Sequence, residues 1–442
     1  MNTAEKILIT AVLVFCHISS YAADKVYTLQ EAYEAALKTN ETVQIAEEGV
    51  VQAESLVNQA RTYLFPRMVG QAGYTRYNET LPTGGGSFIF QPLKQFQAAL
   101  VLTQPLYTGG RTLAAFRTAQ VLSDVSRKQL STSQQDMLLN VAQAYFEVLK
   151  ARKLVDVSRD SLSRMEEYKK VTERVASTRR TNASLSDLLR ARTLVSQAGI
   201  FVVTDEDRLK IARQKLNLLT RLPEEAAVQE PQPPTPPPYS LDRLKQIAYE
   251  NRDDYAGAHL NQKVAQENIT IIKGAHYPQV YAEGGLQYQD SSPMTGLDAT
   301  TYYGGVRLQI PIFEGGLMKA EVSEARSKLR QAELSTELLR RNIEADVFDA
   351  YVNLQTVTSV LESSKLQYTD AKRNYDTVAN LFTEGLASSL SVIDAQQAFF
   401  VAERTLVTAL YDQQVAILRL QRSIGVLGKN DRLLTGGGHA SS

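Results

Sequence analysis

Two proline-free stretches constrain this chain more than any other feature of its sequence. Proline is absent between Pro105 and Pro223 and again after Pro311, and in each stretch apolar side chains recur at helical spacing over more than 100 residues. The helical pattern breaks into small polar residues near 180–184 and 383–389, which predicts a helical hairpin in each stretch. From the positions of these breaks we expect one helix of about 65 residues and a return helix of about 35–40 residues in each hairpin. A 65-residue helix is ~100 Å long, and that length suits a coiled coil or a helical tube.

The two halves of the chain repeat one plan. Pro66 matches Pro278 at an offset of 212 residues, and longer motifs match at an offset of 206 residues. The clearest pair is Leu102-x-x-Pro105-Leu106-Tyr107-x-Gly109-Gly110 and Leu308-x-x-Pro311-Ile312-Phe313-x-Gly315-Gly316. We predict a first repeat over 23–222, a proline-rich linker over 223–238, a second repeat over 239–428 and a flexible tail over 429–442. The linker contains the run 231–238, which is typical of a polyproline II spacer.

Four short segments, two in each repeat, predict β-strands. Apolar and small residues at Val280, Ala282, Gly284, Leu286 and Tyr288 alternate with mostly polar residues. Alternation over about ten residues with tyrosine near the ends is typical of a transmembrane strand, although each strand alone would also fit a soluble hairpin. The strands are predicted at about 67–79, 94–105, 279–290 and 301–312, and the long helices at about 111–178, 185–222, 317–382 and 390–424.

Four strands are too few to close a barrel in a bilayer. An open sheet edge would leave backbone N–H and C=O groups unpaired where no water can reach them. Because the smallest membrane barrels have about eight strands, several copies of this chain must share one barrel. Three copies would supply twelve strands, which is an even and plausible number.

The N-terminus predicts export from the cytoplasm. Lys6 precedes an apolar run over 7–18, and Ala22 ends a small-x-small pattern, so residues 1–22 are typical of a secretory signal peptide. Lipidation at Cys16 is the alternative, but the bulky Phe15 before it departs from the lipoprotein pattern. After cleavage no cysteine remains, so the stability of the mature chain must come from packing rather than from disulfides.

Catalytic residue types are scarce. Beyond the predicted signal peptide the histidines are His259, His276 and His439, and the sequence holds no zinc, P-loop or serine-nucleophile motif. We therefore predict no enzyme activity, no metal site and no cofactor. The 48 basic residues balance the 48 acidic ones, which excludes a basic nucleic-acid-binding protein.

From Tyr27 to about Leu427 the chain resembles the TolC-like outer-membrane efflux and secretion channels. The resemblance rests on the opening Tyr27-Thr28-Leu29-x-Glu31-Ala32, on the two Pro-to-Gly-Gly motifs and on Gly385-x-x-x-Ser389-Leu390-Ser391-Val392-Ile393-Asp394-Ala395. It implies a mainly α-helical fold with a transmembrane β-barrel: a homotrimer with twelve strands in the outer membrane and twelve helices in a periplasmic tunnel. It also implies docking on a periplasmic adaptor protein and passage of drugs, metals or proteins from an inner-membrane RND or ABC transporter.

The same resemblance implies roles for residues at the two hairpin ends. By match to the family, the periplasmic constriction involves Asp187, Asp394, Ser391 and Phe382, and the adaptor-docking tips involve Gly385, Leu386, Thr181 and Asn182. Ser391 stands where a second ring carboxylate often sits in the family, and Phe382 replaces a polar partner of the closed state. A ring of three Asp394 side chains would attract cations and narrow the pore.

One alternative from another class stays open at this point. Long helices alone would also suit a periplasmic coiled-coil scaffold without a pore. A scaffold would leave the membrane in high salt, whereas a shared barrel would require detergent.

Overall fold

The computed structural model of the protein describes residues 26–79, 81–82, 89–91, 93–178, 182–292 and 299–429. The predicted signal peptide, Thr181 and the tail beyond Lys429 lie outside these residues. The chain forms two compact units. Among the described residues, the first comprises those up to Ile45, Ser131–Asp253 and those from Arg340 onward, and the second comprises those in Ala46–Leu130 and Asp254–Leu339. Each unit contains segments from both predicted repeats, so the repeat boundaries remain a prediction from the sequence.

The described residues are mainly helical. In chain order the helices are α1 (Leu29–Thr39), α2 (Glu41–Thr62), α3 (Arg111–Thr178), α4 (Asn182–Thr220), α5 (Leu241–Asn251), α6 (Asp253–Ala275), α7 (Leu317–Thr383) and α8 (Ser389–Ser423). The strands are β1 (Val26–Tyr27), β2 (Arg67–Arg76), β3 (Leu81–Pro82), β4 (Ile89–Gln91), β5 (Lys94–Thr108), β6 (Ala227–Val228), β7 (Gln279–Ser292) and β8 (Ala299–Gln309). The predicted fold class, mostly helical with four main strands and two long hairpins, is confirmed.

Each repeat opens with a pair of helices separated by one extended residue, Asn40 in the first and Arg252 in the second. Helix α1 begins with a capping box. Its Thr28 hydroxyl accepts from the Glu31 N–H at 3.2 Å, and the Glu31 carboxylate accepts from the Thr28 N–H at 2.9 Å. Ser240 takes the same place before α5 without a side-chain cap bond, so the first repeat starts with the firmer helix end.

The core of the first unit lies along α3. Tyr145, Phe146 and Leu149 are fully buried there, and burial of each such side chain stabilises the fold by about 1.5–3 kcal/mol. The Tyr145 hydroxyl lies 2.8 Å from the carbonyl oxygen of Tyr27 and 2.6 Å from that of Gln229. Tyr27 ends β1 and Gln229 follows β6, so one tyrosine joins the first strand to the predicted linker over 223–238.

The second unit contains the main sheet. Its antiparallel strands lie in the order β2-β5-β7-β8, so the two repeats meet where β5 pairs with β7. That pairing runs from Lys94 opposite Ser292 to Thr108 opposite Gln279. Strands β2 and β8 are the two edges of this sheet within one chain.

The proline at each strand end has a different effect. Strand β5 continues past Pro105 to Thr108, with a shift in register between Pro105 and Tyr107, whereas the sequence predicted an end near 105. Strand β8 ends at Gln309, short of the predicted 312 and just before Pro311. Proline has no N–H to donate, so a strand either bulges around it or stops before it.

Candidate functional site

The candidate site is the end of the second hairpin, between α7 and α8. Gly385 has a φ of +77°, a conformation that favours glycine, and its N–H donates to the Phe382 carbonyl at 3.0 Å. The N–H of Leu386 donates to the Leu381 carbonyl at 2.8 Å, which closes the helix end. The turn therefore holds the Leu386 side chain in an exposed position at the tip.

Ser391 is part of the N-terminal cap of α8. The Ser388 hydroxyl accepts from the Ser391 N–H at 3.1 Å and lies 2.8 Å from the Ser391 hydroxyl. Ser391 is exposed, and its hydroxyl is already engaged in this cap. Resemblance to the family places Ser391 at the predicted constriction. The structure shows that a serine at this position also takes part in the cap of α8.

Phe382 packs into an apolar cluster. The cluster consists of the buried residues Met165, Tyr168, Ala191, Ala198 and Val392, with Phe382 partly buried against them. The Phe382 ring centroid lies 5.5 Å from that of Tyr168, and the Tyr168 hydroxyl is hydrogen-bonded to the Ser389 hydroxyl. We call Tyr168, Phe382 and Ser389 the tip layer. Apolar periodicity places Tyr168 on a buried face of α3, but no sequence signal names its partners.

The two candidate gate carboxylates sit on different helices of the first unit. Asp394 is exposed on α8, and Asp187 is half-buried on α4. Asn182 begins α4, next to Thr181, which the structure does not describe.

A second set of contacts joins the hairpins farther along the helices. The Ser158 hydroxyl donates to the Asp205 carboxylate at 2.6 Å, and the Arg404 guanidinium donates to both carboxylate oxygens, one of them at 3.2 Å. The Asp205 side chain is only 2% exposed. Burial pushes the pKa of Asp205 up, but the bonds from Arg404 and Ser158 outweigh burial and hold the pKa below its usual value. We call these three residues the charged layer, which the sequence analysis missed.

The charged layer continues toward the tip through a second ion pair. Arg164 of α3 donates to Glu403 of α8 at 2.9 Å, and its guanidinium lies 4.7 Å from the centre of the Phe399 ring. Both charged side chains of this pair are mostly buried. One ion pair thus joins α8 to α4 through Arg404 and Asp205, and a second joins α8 to α3 through Glu403 and Arg164.

The described part of the chain offers little for metal chemistry. Within it, no group of three or more histidine, cysteine, aspartate or glutamate side chains is arranged to hold a metal ion. Nor does any helix there have the length and apolar content needed to cross a membrane.

Comparison with known proteins identifies the family. The family model for outer membrane efflux proteins matches residues 32–220 and 244–426, one match in each repeat. The chain is 24% identical to outer membrane protein TolC of Escherichia coli K12 over 96% of this chain and 87% of that protein. It is 23% identical to the pyoverdine export outer membrane protein OpmQ of Pseudomonas aeruginosa over 90% of this chain and 84% of that protein.

A solved structure agrees with the sequence comparison. The CmeC outer membrane channel of Campylobacter jejuni superposes with a TM-score of 0.79 at 16% identity, covering 90% of this chain and 85% of that one. The names of these relatives describe outer-membrane proteins and channels. With a family match in both repeats and the same fold, the chain belongs to the outer membrane efflux protein family and is an efflux channel of the outer membrane.

Proposed function

We propose that the chain works as a homotrimer whose three sheets share one twelve-stranded barrel, and that this trimer is the exit duct of a tripartite pump or a type I secretion system. The open edges β2 and β8 carry the proposal. In a bilayer each edge needs a partner strand, and joining β8 of one copy to β2 of the next supplies it. Three four-stranded sheets would close a barrel of ordinary size.

The two strand-to-helix turns support head-to-tail assembly. At Gly109 a Cβ atom would lie 2.3 Å from the Gly274 carbonyl oxygen and 2.7 Å from the Tyr277 Cβ atom, so this turn packs closely on the end of α6. At Gly315 nothing lies within 4 Å of the same position. Ile312 and Phe313 beside it are 94% and 88% exposed, whereas their counterparts in the first repeat are only about half exposed.

The repeat indicates what covers the open turn. At the 212-residue offset Gly274 corresponds to Thr62 and Tyr277 to Phe65, at the end of α2. Phe65 is itself exposed. We propose that Thr62 and Phe65 of one copy cover Gly315 and Phe313 of the next, because a heterologous contact of this kind generates a closed ring when its rotation closes.

Assembly is tested by mass and by cross-linking. Mass measurement of the mature protein in detergent should give about three chains. Cysteines at Phe313 and Phe65 should be joined between chains by a short bis-maleimide, because the mature chain has no other cysteine. The matched pair at Tyr107 and Tyr277 should be joined within one chain. A monodisperse monomer that retains its sheet would contradict the shared barrel.

We propose an adaptor-docking role for the exposed tip at Gly385 and Leu386, with Thr181 and Asn182 at the first tip. Exposure of Leu386 beside a glycine turn supports a contact with an apolar side chain of the adaptor. The partner pump would be an inner-membrane RND or ABC transporter, and it would select the cargo. Leu386→Asp should abolish co-purification of the adaptor after cross-linking in cells, whereas Leu390→Asp, at an exposed position in the first turn of α8, should reduce it less.

We further propose that Asp394 and Asp187 act at the periplasmic constriction, with Ser391 and Phe382 beside them, and that the channel works without catalysis. Exposure of Asp394 on α8 supports a pore-facing carboxylate. Asp187→Ala should raise the resting conductance in planar-bilayer recordings, since it would weaken the closed state. Unchanged conductance would remove Asp187 from the gate.

A further inference from the structure

The second strand-to-helix turn contains a charged triad. His276 follows α6, Glu314 lies in the turn after β8, and Glu321 lies in the second turn of α7. The His276 Nδ1 atom is 2.6 Å from a Glu314 carboxylate oxygen, and its Nε2 atom is 3.0 Å from a Glu321 carboxylate oxygen. The imidazole is only 6% exposed, so these two carboxylates provide its polar environment.

This geometry specifies a protonation state. A neutral imidazole carries one N–H and can donate to one carboxylate, whereas an imidazolium donates to two. Both ring nitrogens face carboxylate oxygens, so the observed arrangement fits the imidazolium. The bond to Glu314 raises the pKa of His276, burial opposes that rise, and the bond to Glu321 adds to it, so the pKa lies above its usual value.

The elements packed around the ring contribute further groups. Lys273 of α6 accepts from the His276 N–H with its backbone carbonyl at 3.2 Å. Arg111 of α3 packs beside Gly274, and Gln279 at the start of β7 is neutral. The groups bonded to the ring are the two carboxylates, one from the turn and one from α7.

The first turn has no such triad. At the repeat offsets His276 corresponds to Leu64, Glu314 to Thr108 and Glu321 to Ala115, and none of these residues titrates in the accessible range. The Thr108 hydroxyl instead accepts from the Thr112 N–H at 3.3 Å as a neutral cap. The charged triad is therefore a property of the second turn, the one that is open in a single chain.

We propose that His276 is a protonation-dependent latch, which as an imidazolium ties the Glu314 turn to both α6 and α7 and on deprotonation releases the turn together with Ile312 and Phe313. The latch itself follows from the geometry of one chain. Its effect on a neighbouring copy rests on the proposed trimer, because Ile312 and Phe313 form the proposed contact.

The direction of the pH dependence follows from the raised pKa. Stabilisation by the imidazolium is fully present below the ordinary histidine pKa of about 6.5 and is lost as the pH rises through the higher value in the folded chain. Above that value one carboxylate loses its donor. We therefore expect a tight turn in mild acid and a looser turn in alkali.

Hydrogen exchange of the full-length protein in detergent tests the latch. The peptide 311–321 should lose protection several-fold between about pH 6 and about pH 9, after correction for intrinsic exchange. In Glu314→Gln the side-chain amide N–H donates to the unprotonated Nδ1 of a neutral His276. The Nε2–H of the same ring then still donates to Glu321. This variant should remain protected at both pH values. His259→Gln is the control, since His259 packs edge-on against Tyr255 at 4.7 Å and should keep the wild-type profile.

Two outcomes would overturn the latch: equal wild-type protection at both pH values, or a Glu314→Gln variant that keeps the wild-type pH dependence. Mass measurement on the same samples separates this proposal from the trimer. An intact trimer with no pH dependence removes only the latch, and a monomer with the expected pH dependence removes only the shared barrel.

Discussion

The charged layer and the tip layer join the same hairpins by different physics. In the charged layer Asp205 is buried and Arg404 donates to both of its carboxylate oxygens, so the loss of Arg404 leaves a buried charge with only the Ser158 hydroxyl and the exposed Arg208 as partners. In the tip layer the Tyr168 and Phe382 rings meet with one hydroxyl bond to Ser389 beside them, and separation exposes apolar surface without stranding a charge.

This difference suggests a division of labour. Breaking a buried ion pair costs about 3–5 kcal/mol, whereas an aromatic pair contributes about 0.5–1.5 kcal/mol beyond its buried area. We therefore infer that the charged layer anchors α8 to α4 through the ion pair and to α3 through Ser158. The tip layer is the part that can separate at modest cost, which is the requirement for a gate at the end of the hairpins.

The largest expected effect is at the anchor. Arg404→Met should lower the free energy of unfolding by about 3–5 kcal/mol, because Asp205 stays buried without its main partner. Thermal melts followed by circular dichroism should show the loss. Arg208 also contacts Asp205, at 3.2 Å, but its side chain is 60% exposed, so Arg208→Met should cost less than about 1 kcal/mol. Equal effects of the two substitutions would contradict the anchor.

The next effect concerns the tip. Phe382→Ala should destabilise the closed tip by about 1–2 kcal/mol, because the half-buried ring leaves its contact with Tyr168. Resting conductance in planar bilayers should rise, while the melting temperature should change much less than in Arg404→Met. Leu381→Ala, next to it and more exposed, is the control. If both variants conduct like the wild type, the tip layer does not hold the channel closed.

A smaller effect isolates the hydroxyl bond at the tip. Tyr168→Phe keeps the ring and removes the hydrogen bond to Ser389, which contributes about 0.5–1.5 kcal/mol. Conductance should rise less than in Phe382→Ala. Ser389→Ala should have a similar effect, and the double variant should add little, because both substitutions remove one interaction. Fully additive effects would mean that the two hydroxyls act independently.

The smallest effect on stability is expected at the exposed Asp394. Asp394→Ala should change the free energy of unfolding by less than about 0.5 kcal/mol. If three copies of Asp394 form a ring, this variant should nevertheless show weaker block by multivalent cations and lower cation preference. Glu384→Ala, an exposed acidic control at the same tip, should keep wild-type block. Wild-type selectivity in Asp394→Ala would place the constriction elsewhere.

Several elements of the fold were readable from local sequence. The absence of proline and the helical spacing of apolar residues predicted α3 and α7 nearly to their ends, period-2 alternation predicted β5, β7 and β8, and residue composition predicted β2. Several bounds moved by two or three residues, and two of these shifts follow from proline chemistry. Strand β5 bulged past Pro105, whereas β8 stopped before Pro311.

The candidate site was readable only in part. The break in helical spacing near 383–389 located the second tip, whereas the roles of Gly385, Leu386, Asp394 and Asp187 came from resemblance to the family. Phe382 was predicted at the constriction, and its packing on Tyr168 became visible only in the structure. Residues that make the charged layer carry no local signal, because Asp205 and Arg404 are 199 positions apart.

The sequence by itself determined which segments are helices, which are strands, where they turn and that the plan occurs twice, because each of these depends on backbone preferences within a few residues. The tertiary structure alone decided that β5 pairs with β7, that Arg404 meets Asp205 and that His276 lies between Glu314 and Glu321. Periodicity shows that a helix face is apolar or charged, but several faces of the same character compete as partners. Which faces pair depends on the packing of the whole chain. A wrong pairing is excluded where it would leave a buried charge unpaired or cause a clash at a closely packed glycine.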